Sequence, residues 1–162
     1  MDRLESPREE AVLAAVGHVA IRHGQLTHIL KLTVKSILGI SVREALDGTA
    51  RQSFRELKQR VRHLAKQRIG DGPALTRLDA LLQRSQLVTD RRNDFIHSLW
   101  SKDAQGNPVI RDDEHRGRLI PSTALLNELA KEMHDIAVEL NYARLDGFLA
   151  HALRARQSNR HA

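Results

Sequence analysis

LTRLDALLQRSQLVTDRRNDFIHSL, residues 75–99, places Leu75, Leu78, Leu82, Ser85, Thr89, Arg92, Ile96 and Leu99 at alternating spacings of three and four. A repeat of that period puts every member on one side of an α-helix, so the stretch is expected to be a long helix packed on other helices. Most of the stripe is aliphatic or small. Arg92 is the misfit, a guanidinium where the pattern asks for an apolar side chain.

Upstream, Ser6-Pro7 followed by Glu9 and Glu10 marks a helix start. Val12, Val16, Val19, His23, Leu26, Leu30, Val34 and Ile37 then give a helical stripe that ends at Gly39. Gly17 and Gly24, seven apart, fall on one side of this helix. A short helical turn is expected around Ser41–Leu46. A second long helix follows, with Phe54, Leu57, Val61 and Leu64 as its stripe and Gly70-Asp71-Gly72-Pro73 as its stop. Downstream, residues 103–121 break period, contain Gly106-Asn107-Pro108, and offer Val109-Ile110 and Leu119-Ile120 around a charged tip, which reads as a β-hairpin or ordered loop. Ser122 or Thr123 can cap a last long helix carrying Leu126, Leu129, Met133, Ile136, Leu140 and Ala143, bending near Gly147. The expected fold is all-α: an antiparallel bundle of four long helices with a short β-hairpin or loop insertion before the last helix. Residues 1–162 form a single domain in this view, closed by a short basic tail at about 154–162.

The chain has one Trp, one Tyr, three Phe and no Cys. Its core must therefore be aliphatic, and disulfide, thiolate and zinc–cysteine chemistry are excluded, which suits a reducing cytoplasm. The charged start MDRLESPREE does not resemble a signal peptide, and no uncharged run approaches the roughly 20 residues that span a bilayer. The formal charge of +6 is concentrated: residues 51–70 hold seven Lys and Arg against one acid, while the remainder is balanced. Within this block Arg51, Arg55, Lys58, Arg62 and Lys66 recur at helical spacing and form a basic stripe suited to phosphate contacts, or else a solvated face.

The segment Arg91-Arg92-Asn93-Asp94-Phe95-Ile96-His97 carries the most chemistry. Asn93 and His97 are four apart and neighbours on a helix, so the amide can orient the imidazole. Arg92 and His97, five apart, point about 140° away from each other, and a two-fold dimer would let each Arg92 approach the other chain's His97. An Arg with a His five to seven places later is expected by chance about three times in such a chain, and Arg22 with His28 is the rival pair. Requiring Asn next and His at the fifth place lowers the expectation to about 0.03.

This R-N-x-x-x-H segment, late in a bundle helix and followed by another long helix, resembles the HEPN superfamily, whose motif is arginine, a polar residue, a few more, then histidine. The likeness covers roughly residues 8–156, with its motif confined to 92–97. It implies a metal-independent endoribonuclease working as a homodimer through a composite cleft, with Arg92 and His97 as the catalytic pair and Asn93 as the polar neighbour. Members also serve in toxin–antitoxin and phage-defence systems, and some are inactive modules. Where the family often has an acid in its first helix, this chain has Gln25 and no acid between Glu10 and Glu44.

The expected chemistry follows from residue types. An imidazole takes the ribose 2′-hydroxyl proton, a guanidinium holds the phosphorane, and a 2′,3′-cyclic phosphate results without any cofactor. Trp100, three after His97, is placed to wall the site or to fill the core. The expected partners are a second copy of the chain, RNA, and an antitoxin or other protein. The competing expectations are an inactive helical module that binds a protein, nucleotide or nucleic acid, with Arg92 tying helix ends through carbonyls, and a binder using residues 51–66 without cleavage. His18, His23 and His28 are five apart, not at metal-ligand spacing, and no metal site is expected. Asp112-Asp113-Glu114 reads as a solvated tip.

Overall fold

The structure is a computed structural model that describes residues 7–97, 99–102, 104–105, 108–111 and 117–158. The expectation for Asp112-Asp113-Glu114, and the end of the basic tail, lie outside the described residues. The protein is predominantly helical. Its elements run α1 (Pro7–Leu38), α2 (Val42–Thr49), α3 (Phe54–Ile69), α4 (Pro73–Ile96), β1 (Leu99–Lys102), β2 (Pro108–Arg111), β3 (Gly117–Leu119), α5 (Thr123–Leu145) and α6 (Phe148–Ser158). Among the described residues no helix is long and apolar enough to cross a membrane.

The chain forms two compact units, each discontinuous in sequence: residues 1–23 with 87–133, and residues 24–86 with 134–162. In the second unit, Leu30, Val34 and Ile37 of α1, Leu57, Val61, Ala65 and Ile69 of α3, and Leu75, Leu78, Leu81 and Leu82 of α4 form one core with Leu140, Ala143 and Leu149. Each such Leu, removed fully from water, stabilises the fold by about 2 kcal/mol relative to exposure. The entry to α2 is fixed by a capping box: the Ser41 hydroxyl accepts from Glu44 N–H at 3.2 Å, and the Glu44 carboxylate accepts from Ser41 N–H at 2.8 Å. Ser53 and Glu56 repeat the arrangement at α3. These bonds hold both glutamates below the usual carboxylate range.

Helix α3 stops at Gly70, whose φ of 74° is open to glycine at little cost. Arg156 of α6 completes this end, its Nε donating to Ile69 O at 3.1 Å. The last long helix of the sequence reading is two helices. Gly147 separates α5 from α6 and accommodates a close approach, because a Cβ there would lie 2.9 Å from Ala143 Cα.

In the first unit, Ala15 and Val19 of α1, Val88 and Phe95 of α4, Val109 of β2, and Leu126, Leu129, Ala130 and Met133 of α5 are buried. The three strands form an antiparallel sheet in the order β1-β2-β3, pairing Leu99 with Arg111 and Val109 with Leu119. One expectation is corrected here. Helix α4 ends at Ile96, and Leu99, counted as the last member of its stripe, opens β1 instead. The heptad count cannot see that residues 99–102 have a strand partner in 108–111, and that long-range pairing overrides the local period.

Candidate functional site

Helix α4 enters the first unit with two polar residues on its apolar stripe, Thr89 and Arg92. Thr89 is 3% exposed, and its hydroxyl lies 3.2 Å from His23 Nε2 of α1. His23 is itself the polar member of the α1 stripe, four residues after Val19 and three before Leu26. The misfits of the two stripes therefore meet. Burial, and after it the positive charge of Arg92, push the His23 imidazole down from 6.5 to about 4, so it is neutral at physiological pH.

Arg92 is half-buried. Its Nη1 donates to Asn93 Oδ1 at 2.9 Å, and its Nε is buried with no hydrogen-bond partner. Among the described residues it has neither a carboxylate within ion-pair range nor a bond to a backbone carbonyl. The neighbouring Arg91 differs: it faces outward and pairs with Glu132 Oε2 at 3.0 Å. A guanidinium has five N–H donors, and among the described residues the one acceptor Arg92 reaches is Asn93 Oδ1.

His97 lies just past the end of α4, exposed, its backbone N–H donating to Asn93 O at 3.2 Å. Asn93 thus joins both halves of the motif, Arg92 through its side chain and His97 through its backbone. Trp100 belongs to β1, and its side chain lies outside the described residues.

The basic stripe is less uniform than its spacing suggests. Arg51 precedes α3 in a turn instead of riding on the helix. Arg62 is held bidentate by Asp79, with Nε to Oδ1 at 2.9 Å and Nη2 to Oδ2 at 3.2 Å, and Lys66 pairs with Asp71 at 3.2 Å. The two partners come from α4 and from the turn after α3, which a reading of helix faces cannot anticipate. Arg51 and Arg55 are exposed and Lys58 is half-buried. Among the described residues no three His, Asp or Glu side chains gather to hold a metal ion.

The sequence reading missed His23 as a member of the site. The signal was present, since His23 interrupts an apolar stripe just as Arg92 does, and a polar residue at a core position calls for a polar partner. Comparisons with protein-family models, curated proteins and solved structures gave no match.

Proposed function

We propose that the protein is a metal-independent endoribonuclease of HEPN type, with a four-helix HEPN-like arrangement and a site completed across a homodimer. The observation that carries the proposal is Arg92, a half-buried arginine with an unpartnered Nε and no carboxylate counterion among the described residues, five residues before an exposed histidine. Such a group is an anion receptor. In the reaction the His97 imidazole takes the proton of a ribose 2′-hydroxyl, O2′ attacks the adjacent phosphorus, and Arg92 binds the charge growing on the non-bridging oxygens. The departing 5′-oxygen takes a proton from the second His97. The products are a 2′,3′-cyclic phosphate and a 5′-hydroxyl end, and DNA, lacking the 2′-hydroxyl, is not cut.

Arg51, Arg55 and Lys58, which belong to the second unit, supply phosphate contacts of their own in this proposal. Leu13 and Ile21, eight residues apart on α1 and 64% and 60% exposed, supply apolar surface in keeping with a second copy. A non-catalytic phosphate-binding module is the second reading, favoured by the angular separation of Arg92 and His97 within one chain. The two part company in one assay. Labelled RNA incubated with the protein in EDTA should give cyclic-phosphate-ended fragments, absent with His97→Ala and with Arg92→Ala. RNA bound but intact under conditions in which the dimer is present counts against cleavage and for the module.

A further inference from the structure

The second unit holds a supersecondary arrangement that has no part in the chemistry above. Helix α2, eight residues long, is joined by residues 50–53 to α3, sixteen residues long. The link is closely bonded. The Thr49 hydroxyl donates to Ala45 O at 2.7 Å, the Gln52 N–H donates to Thr49 O at 3.2 Å, and Ser53 with Glu56 closes the capping box of α3. Arg60 of α3 reaches back, its Nη1 donating to Gly48 O at 2.6 Å and to Gln52 Oε1 at 3.3 Å, so the second helix ties down both the end of the first and the turn. A short helix, a turn of this length and a longer helix make a helix-turn-helix, whose second helix is the one that enters the DNA major groove.

The charge on α3 is distributed to match. Leu57, Val61, Ala65 and Ile69 are buried, while Arg55, Gln59, Arg62, His63 and Lys66 are exposed within an arc of about 100° on the side away from them. The cations divide along the helix. In its C-terminal half Arg62 and Lys66 are paired with Asp79 and Asp71. In its N-terminal half Arg55 and Lys58, together with Arg51 of the turn, have no carboxylate partner among the described residues, and Gln59 has no hydrogen-bond partner there for its side chain. Helix α2 instead carries Glu44 and Asp47 against Arg43. The unspent positive charge therefore sits at the turn and the start of the second helix, the part that reaches base edges and flanking phosphates in a helix-turn-helix.

We propose that α2, the turn and α3 form a docking surface for double-stranded DNA, with the N-terminal half of α3 in the major groove, Arg51, Arg55 and Lys58 on phosphates, and Gln59 at a base edge. A helix with its side chains is about 10–12 Å across, which the groove of B-DNA, about 12 Å wide, admits and the deep, narrow major groove of duplex RNA does not. The Gln59 amide offers a donor and an acceptor together, the pair that matches adenine N7 and N6. The surface lies wholly in the second unit and uses neither Arg92 nor His97.

Fluorescence anisotropy of the full chain with a labelled DNA duplex of mixed sequence, about 20 base pairs long, tests the surface. Three phosphate contacts make the affinity fall about 40-fold between 50 and 200 mM salt, a logarithmic slope of about −2.7. Arg55→Ala combined with Lys58→Gln should weaken binding about tenfold or more at 50 mM salt and reduce the slope by about two. Arg84→Gln combined with Arg154→Gln removes the same net charge from cations already paired with Glu139 and Asp146, and should bind as wild type does. Gln59→Ala should keep the slope and level the affinities across a panel of duplexes; affinities that still vary as in wild type would remove Gln59 as a base reader. Circular dichroism checks that each variant folds. Should one not fold, the wild type decides alone: tighter binding of duplex DNA than of duplex RNA or single-stranded DNA supports the surface, and equal binding overturns it. Equal losses in the two double variants would show attraction to net charge only and overturn it too, as would no duplex binding at 50 mM salt. Intact RNA in the cleavage assay refutes the ribonuclease without touching this surface, and failure here leaves the ribonuclease standing.

Discussion

Taking the protein from pH 7 to pH 5 should cost it stability through one ring, and His23→Asn should remove that cost. The His23 imidazole is pushed from 6.5 down to about 4, by burial first and by Arg92 second. Between those values the unfolded chain binds a proton that the folded chain refuses, so stability rises with pH across the window. The contribution is complete above about pH 6.5 and is lost as pH falls toward 4. At 1.36 kcal/mol per pH unit the full window is worth roughly 3 kcal/mol for a shielded ring, and solvent screening of this half-exposed one reduces it to about 1–2 kcal/mol. Most of that is spent by pH 5.

Urea denaturation followed by circular dichroism at the two pH values measures it, with His23→Asn as the reference. The expected difference between the two pH-induced losses is about 1 kcal/mol, the larger loss in wild type. Equal losses in wild type and His23→Asn would refute the reasoning. Arg92→Met should shrink the effect without abolishing it, because burial is the larger cause; complete abolition would show that the charge of Arg92 dominates.

Ser53→Ala removes the hydroxyl that accepts from Glu56 N–H at 3.3 Å and should cost about 1 kcal/mol, read as a lower urea midpoint. The same variant should lose less stability than wild type on acidification through the carboxylate range, since the Ser53 bonds are what hold Glu56 low; identical acid profiles would contradict that cause. Gly147→Ala brings a Cβ to 2.9 Å from Ala143 Cα and 3.1 Å from Tyr142 O, so a loss of about 1–3 kcal/mol and a lower Tm are expected. An unchanged Tm would mean that the break between α5 and α6 relaxes freely.

The helices were legible because their signals are local. Period, capping box and glycine stop all lie within a few residues of one another, as at Ser53, Glu56 and Gly70 for α3. Strand β1 was not legible, because residues 99–102 look like the end of a heptad series until residues 108–111 pair with them. The site divided the same way. Arg92 announced itself as a misfit and Asn93 as its neighbour, both within one helix. His23 announced itself too, 66 residues before its partner Thr89, but a stripe says only that a polar side chain is turned inward and not which other stripe it meets. The pairing of Arg62 with Asp79 escaped for the same reason.

The bond from Arg156 to the carbonyl of Ile69 spans 87 residues, and it ties the finish of α3 to the order in which the ribosome delivers the chain. When Ile69 is made, its helix has its glycine stop but not the side chain that completes it. That side chain arrives with α6, 87 residues later. The core that α3 shares waits equally long, for Leu140, Ala143 and Leu149. The other unit receives its segment 87–133 before residues 134–162 are made and can close first. A nascent chain therefore carries an open aliphatic surface from α1, α3 and α4 until Leu140, Ala143 and Leu149 have been made, and such surfaces are prone to aggregate or to be held by a chaperone.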